Sequence, residues 1–140
     1  MLNGSTRDLG RAGESAVCDY MERQGYTVLC RNYTAGHCEI DVIAENERNL
    51  VFTEVKMRRD GAAYRKEYGR PSAAVNGAKK EHLLTAAKAY LKEHPTDKFP
   101  RMDVCEVWWS ETEDGSVSFR FNYIERAFGA EKPKKESYPD

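Results

Sequence analysis

The clearest pattern of apolar and polar positions in this chain lies in residues 39–44 and 50–56. Both runs are rich in apolar and β-branched residues, and each carries charged residues at alternate positions near one end. This pattern predicts two β-strands. Because the polar link between them, residues 46–49, is short, the strands are expected to form a hairpin.

The hairpin is expected to close with Glu45 opposite Leu50, which fixes every other pair in it. Side chains along a strand point alternately to the two faces of a sheet. One face then carries the pairs Asp41–Glu54, Glu39–Lys56 and Ile43–Phe52. The other face is apolar and expected to be buried, with the pairs Ile40–Val55, Val42–Thr53 and Ala44–Val51.

Apolar residues at helical spacing predict two long helices. The first runs from residue 6 or 8 to about 24, with Gly25 just past its end, and the second covers residues 77–94 and ends before Pro95. Further strands are predicted over residues 26–33, 101–109 and 117–123, and residues 124–128 are expected to turn back as a short helix.

These elements predict an α/β fold in which a mixed sheet of about five strands is flanked by helices. The length of 140 residues suits one domain, residues 1–128, and the polar segment 129–140 is expected to be disordered. No apolar run is long enough to span a bilayer, and the N-terminus lacks the apolar core of a signal peptide. The cytoplasm is therefore the expected location.

The charge of the chain is unevenly distributed, although the net charge is only −1. Residues 56–80 carry a net charge of +6, so the rest of the chain carries −7. Such a basic segment attracts a phosphate backbone, or it is simply a solvated loop. We favour phosphate contact because the segment begins beside the paired carboxylates. The candidate contacts are Arg58, Arg59, Arg65, Lys66, Arg70 and Lys79.

Two carboxylates placed opposite each other destabilise a sheet, so the predicted pair of Asp41 and Glu54 needs a reason. Either one of the acids is protonated or a cation lies between them, and Mg²⁺ suits a site made of one or two carboxylates and water. Lys56 projects from the same face and could hold a phosphate or an attacking water. The alternative is a solvated strand end in which Lys56 neutralises Glu39 and Glu54. We prefer the metal site because the lysine lies two residues after Glu54 and the opposite face is apolar.

Two further residues extend this candidate site. Glu14 lies at the edge of the apolar stripe of the first helix, where a carboxylate needs a partner. It either joins the site or forms a surface ion pair with Arg7, Arg11 or Arg58. Lys79, at the start of the second helix, either contacts phosphate or covers the edge of the sheet.

The four cysteines form no closely spaced pair typical of a zinc site or a disulfide framework. Cys30, His37 and Cys38 are close in sequence and could be metal ligands. Zinc sites usually have paired spacings and a fourth ligand, so free thiols are the preferred interpretation.

The spacing from Asp41 to Glu54-Val55-Lys56 resembles the PD-(D/E)xK core of the restriction-endonuclease-like nucleases. A longer series of motifs, over residues 8–128, resembles the YraN-like bacterial proteins of that fold, which are related to Holliday-junction resolvases. The residue before Glu39 is commonly glycine in that family and is Cys38 here. The matching motifs are Gly10-x-x-Gly13-Glu14, Arg31-Asn32, Glu39-Ile40-Asp41, Glu54-Val55-Lys56-x-Arg58, Pro71, Val75, Lys79 and Arg101-x-Asp103-Val104.

The resemblance implies a Mg²⁺- or Mn²⁺-dependent nuclease acting on DNA, including branched or damaged DNA. Asp41, Glu54 and the backbone carbonyl of Val55 would bind the metal ion, Glu14 would reach it through water, and Lys56 would orient the attacking water. A resolvase-like role would also imply a homodimer. Two alternatives remain open: a DNA-binding module of the same fold with weak or no turnover, and an interaction protein whose charged residues only pair with each other.

Overall fold

The structure, a computed structural model, describes residues 6–60 and 77–128. It contains two helices and five strands within these residues. In chain order they are α1 (Thr6–Arg23), β1 (Thr27–Ala35), β2 (Cys38–Glu45), β3 (Asn49–Arg59), α2 (Gly77–Glu93), β4 (Phe99–Glu111) and β5 (Val117–Phe128). The predicted tail, residues 129–140, lies outside the described residues, so the proposed domain boundary stays a prediction.

The five strands form one open mixed sheet in the order β1-β2-β3-β4-β5. Neighbouring strands are antiparallel except β3 and β4, which are parallel and lie on either side of α2 in the sequence. A parallel pair needs such a long crossover, and a helix usually provides it. This architecture confirms the predicted α/β fold and is consistent with a restriction-endonuclease-like fold.

The two helices pack on opposite faces of the sheet. Phe52 of β3 belongs to an apolar cluster with Leu83 and Tyr90 of α2. Val51, the preceding residue, belongs to a second cluster with Val17 of α1. Because consecutive residues of a strand face opposite sides, the sheet separates two cores, and β3 contributes to both.

The predicted hairpin register is confirmed for four pairs, from Glu45 opposite Leu50 to Val42 opposite Thr53. Among the described residues the pairing of β2 with β3 ends there. β2 stays paired with β1 as far as Cys38, and β3 stays paired with β4 as far as Arg59. The sheet therefore opens between β2 and β3, and this opening, beyond Val42 and Thr53, is called the fork below.

The fork overturns part of the predicted register. Ile40 does not lie on the buried face with Val55, because it packs in the cluster beneath α2 while Val55 packs in the cluster beneath α1. Glu39 pairs with Thr34 of β1 rather than with Lys56. The short polar turn determined the register of the closed part of the hairpin, but it did not reveal where the strands separate.

The prediction of a short helix at residues 124–128 is wrong, because β5 continues as a strand to Phe128. The strand accommodates an irregularity opposite Asp103, where Arg126 adopts a left-handed backbone with φ of 53°. The Arg126 amide donates a hydrogen bond of 3.0 Å to the Asp103 carboxylate. That side-chain bond replaces a strand-to-strand bond at the bulge and lets the pairing resume beyond it.

A buried polar network holds β4 to its neighbours. Arg101 makes a two-point contact with Asp103, with distances of 3.0 Å from Nε to Oδ1 and 2.8 Å from a terminal nitrogen to Oδ2. Asp103 also accepts a hydrogen bond of 2.7 Å from the Tyr123 hydroxyl. The pair of Arg101 and Asp103 is buried, so its role is structural.

Neither described helix is long and apolar enough to cross a membrane.

Candidate functional site

Asp41 stands at the fork and binds the neighbouring strand through its side chain. Its Oδ2 accepts a hydrogen bond of 2.8 Å from the backbone N–H of Val55. Beyond Thr53 the backbone of β2 no longer pairs with β3, so this amide would lack a strand partner. The Asp41 carboxylate accepts this hydrogen bond in place of a backbone carbonyl of β2, which fixes the position of Asp41 relative to β3.

Glu54 lies beside Asp41 on β3 and is buried, with only 5% of its surface exposed. Burial, followed by the negative charge of Asp41, raises the pKa of Glu54 from 4.5 to about 8. When protonated, Glu54 donates a hydrogen bond to Asp41, which adds to the increase. The two acids therefore meet at the fork as the sequence predicted, although they are not paired in the strand ladder.

Two lysines approach this buried acid from different elements. Lys79, in the first turn of α2, lies 3.5 Å from Glu54 Oε2 and is 40% exposed. Lys56, two residues along β3, also lowers the pKa of Glu54 by its positive charge. The two lysines lower the pKa of Glu54 by less than burial and Asp41 raise it, so this pKa remains above its ordinary value.

Glu14 reaches the same place from α1. Burial and the charge of Asp41 raise its pKa, while the charge of Arg31 and a hydrogen bond from Asn32 lower it. Arg31 lies 3.7 Å from Glu14 Oε1. These two partners of Glu14 belong to β1, whereas Arg58, one of the expected alternative partners, pairs with Glu106.

Asn32 occupies a backbone conformation that few residues other than glycine adopt, with φ of 54°. Asparagine tolerates this left-handed region better than most residues do. In the sequence, Arg31 and Asn32 fall near the end of the strand predicted over residues 26–33, without an evident partner. Their pairing with Glu14 could not be found from the sequence, because the partners lie on different elements that only the fold brings together.

The donor set of this site suits a hard divalent cation. Glu14, Asp41 and Glu54 offer carboxylate oxygens, and burial together with the charge of Asp41 raises the pKa of Glu14 and of Glu54. A cation that replaces the proton on Glu54 would neutralise the charge of these acids. Mg²⁺ and Mn²⁺ prefer such oxygen ligands.

Comparison with known proteins gives the same family as the motifs. A family model described as uncharacterised protein family UPF0102 matches residues 13–107. The chain belongs to the UPF0102 family. This confirms the resemblance to the YraN-like proteins, which form that family.

Relatives in the UPF0102 family align over most of the chain. A UPF0102 protein of Bacteroides thetaiotaomicron is 36% identical over 121 residues, which cover 86% of this chain and 92% of the relative. One of Chlorobium chlorochromatii is 37% identical and covers 91% and 96% of the two chains. One of Syntrophotalea carbinolica is 41% identical and covers 71% and 77%. These names state no activity.

The basic residues predicted to contact nucleic acid in this UPF0102 protein differ in their exposure to solvent. Arg58 is buried, and its Nε donates a hydrogen bond of 3.2 Å to Glu106, which is buried as well. A guanidinium enclosed in this way cannot reach a backbone phosphate, so Arg58 is removed from the set. Arg59 is exposed and lies over the Trp109 ring, at 5.1 Å from its centroid. Lys79 lies beside Glu54 at the fork. The other three candidates, Arg65, Lys66 and Arg70, lie outside the described residues.

Replacing Glu54 by glutamine is expected to change how stability depends on pH. A carboxyl group with a raised pKa contributes stability that is full below pH 4.5 and is lost as the pH rises through about 8. Glutamine has no such titration. Without divalent ions, Glu54→Gln should therefore melt at least about 3 °C above wild type at high pH, which corresponds to roughly 1 kcal/mol, and lose this advantage in acid.

The measurement is thermal unfolding with a chelator at about pH 5 and about pH 9, on either side of the transition. Glu47→Gln is the matched control, because Glu47 is exposed in the turn between β2 and β3. If the difference in melting temperature between wild type and Glu54→Gln is the same at both pH values, Glu54 is ionised at both.

Proposed function

We propose that this protein hydrolyses phosphodiester bonds in DNA with the help of Mg²⁺ or Mn²⁺. The observation that supports it most strongly is that three acids, Glu14, Asp41 and Glu54, converge at the fork with Lys56 and Lys79 beside them. A divalent ion could replace the proton on Glu54, and a phosphate could replace Glu54 as the partner of Lys79. Every charged group in this arrangement would then have a partner of opposite charge. DNA as the substrate class follows from the resemblance to nucleases.

Asp41 and Glu54 would hold the metal ion directly, and Glu14 would hold it through water. The backbone carbonyl of Val55 is the fourth candidate ligand. In an extended strand the N–H and C=O of one residue point to the same side, and the Val55 N–H points to Asp41. The carbonyl is therefore expected on the side of the acids. When bound, the ion would acidify the attacking water and stabilise charge on the phosphate.

The lysines would act on the substrate. Lys56, close to Glu54, would orient the attacking water and balance the negative charge that develops on the phosphate. Lys79 sits at the N-terminal end of α2, where the helix dipole also favours an anion. Its ammonium group is partly exposed, so it could exchange Glu54 for a phosphate oxygen once an ion neutralises the acid.

A cleavage assay tests the proposal. Linear, flapped and four-way DNA would be incubated with Mg²⁺, Mn²⁺ or a chelator, and wild type compared with Lys56→Ala. Cleavage should require the metal ion and fall about 10²- to 10³-fold in the variant, the loss typical of removing one charge-stabilising donor. Lys92→Ala, at the exposed far end of α2, is the matched control and should cleave like wild type.

The outcomes separate the proposal from its rivals. Equal cleavage by wild type, Lys56→Ala and Asp41→Asn would assign the activity to a contaminant. Salt-sensitive DNA binding without cleavage would favour the alternative of a binding module that lacks turnover. Absence of both DNA binding and cleavage would leave the charged residues with a structural role alone.

A further inference from the structure

A second group of possible metal ligands lies where α2 crosses the start of β2. His37 precedes β2, Cys38 is its first residue, and His82 belongs to α2. The ligand atoms of these three side chains all lie within 4.8 Å of one another. The two imidazole rings are nearly perpendicular, at 88°, with centroids 5.2 Å apart.

The chemistry of this group differs from that of the fork. One thiol and two imidazoles are the ligands that Zn²⁺ prefers, whereas the carboxylates of the fork suit Mg²⁺. Zinc lies about 2.3 Å from sulfur and about 2.0–2.1 Å from nitrogen, which places the ligand atoms roughly 3.5 Å apart. Both histidines are exposed, so small side-chain rotations can bring the atoms from their present separation to that distance.

The surroundings favour a defined site over a chance contact. Cys38 is 5% exposed and packs in the apolar cluster with Leu83, the residue after His82. This packing fixes the thiol on one side, and the ligand atoms of the two exposed histidines lie within 4.8 Å of it. Cys30 is close to His37 and Cys38 in the sequence, but the third member of the group is His82, a residue 44 positions from Cys38.

We propose that His37, Cys38 and His82 bind one Zn²⁺ ion, with water as the fourth ligand. The ion would join the start of β2 and the residue before it to α2. Because β2 carries Asp41 and α2 carries Lys79, zinc would fix the relative position of two elements of the fork. The proposal does not depend on nuclease activity, because it concerns ligand binding by other residues.

Cobalt substitution tests the site directly. Co²⁺ bound to a thiolate gives a near-ultraviolet charge-transfer band that carboxylate sites do not produce. Wild type titrated with Co²⁺ should show this band at one ion per chain, and Zn²⁺ should abolish it while Mg²⁺ should not. His82→Ala should weaken the binding by more than about 100-fold, since it removes a direct ligand rather than a group behind one.

Three control variants, His94→Ala, Cys30→Ser and Asp41→Asn, should bind Co²⁺ like wild type. His94 is the remaining histidine of the chain and lies just past α2. Retention of the band in Asp41→Asn would separate this site from the fork.

Cys38→Ser removes the proposed thiolate ligand and should lose the band. Circular dichroism would report whether this variant stays folded.

Thermal unfolding provides an independent readout. Zn²⁺ at about 100 times its dissociation constant should stabilise wild type by about 2.7 kcal/mol, and it should leave His82→Ala nearly unchanged. Wild type without a thiolate band, or His82→Ala with wild-type affinity, would overturn the proposal.

Discussion

Asp41→Asn is expected to reduce metal-dependent DNA cleavage by about 10³-fold or more, while the protein stays folded. The change removes the negative charge that a divalent ion needs at the fork. It keeps the shape of the side chain, and the amide oxygen can still accept the hydrogen bond from Val55 N–H. Loss of activity would therefore come from loss of charge rather than from a broken sheet.

The stability of the same variant makes this prediction sharper. The charge of Asp41 raises the pKa of both Glu54 and Glu14, so its removal relieves electrostatic repulsion among the three acids. Without metal, Asp41→Asn should melt at the same temperature as wild type or higher, and metal should no longer stabilise it. Asp97→Asn, at an exposed position after α2, provides the matched control for both measurements. A variant that cleaves DNA at the wild-type rate would exclude Asp41 as a metal ligand.

Asp103→Ala is expected to cost about 3–5 kcal/mol of unfolding free energy, the usual loss when one partner of a buried ion pair is removed. Arg101 is 5% exposed and would keep its charge without this carboxylate. The Tyr123 hydroxyl and the Arg126 amide would lose their acceptor as well. The melting temperature should fall by more than about 10 °C. Chemical denaturation with a constant m value would measure the loss directly.

Glu125→Ala is the matched control for that measurement. Glu125 also lies near Arg101, at 3.8 Å, but its side chain is 59% exposed. An exposed ion pair contributes about 0–1 kcal/mol, so this variant should be close to wild type. If both variants lost the same small amount, the network around Asp103 would not be a main source of stability.

The closed part of the hairpin could be predicted because its determinants are local. A four-residue polar turn and the alternation on either side of it determined the pairs from Glu45–Leu50 to Val42–Thr53. The end of α1 was local too, since Gly25 adopts the left-handed backbone expected just past a helix, with φ of 97°. In such cases the residues that decide the structure are neighbours in the sequence.

The features that could not be predicted depend on distant parts of the chain. At the fork β2 stays paired with β1, while β3 stays paired with the parallel strand β4. No residue within the hairpin indicates where the two strands separate. The extension of β5 depends on Asp103 at its bulge. The burial of Arg58 depends on Glu106, 48 residues away. Each was missed because the partner came from another element.

The candidate site shows the same division. Asp41, Glu54 and Lys56 were predicted because they lie on one hairpin. Glu14 and Lys79 were proposed from their positions on the two helices, and the resemblance to nucleases favoured Glu14 as part of the site. The structure brings these residues together, while their chemical roles stay predictions. Arg31 and Asn32 had no visible partner in the sequence, and neither did His82, because each meets its partner only after the helices dock.

The early end of the β2–β3 ladder also has a consequence for the ion selectivity of the proposed metal site. Since no backbone hydrogen bonds join β2 to β3 at Asp41 and Glu54, the width between their carboxylates depends on the angle at which the two strands diverge. Mg²⁺ requires oxygens at about 2.0–2.1 Å and Ca²⁺ accepts about 2.3–2.6 Å. A hinge movement of a few tenths of an ångström would therefore decide which of these ions fits, so substitutions far from the acids that tilt β2 should alter metal preference without touching a ligand.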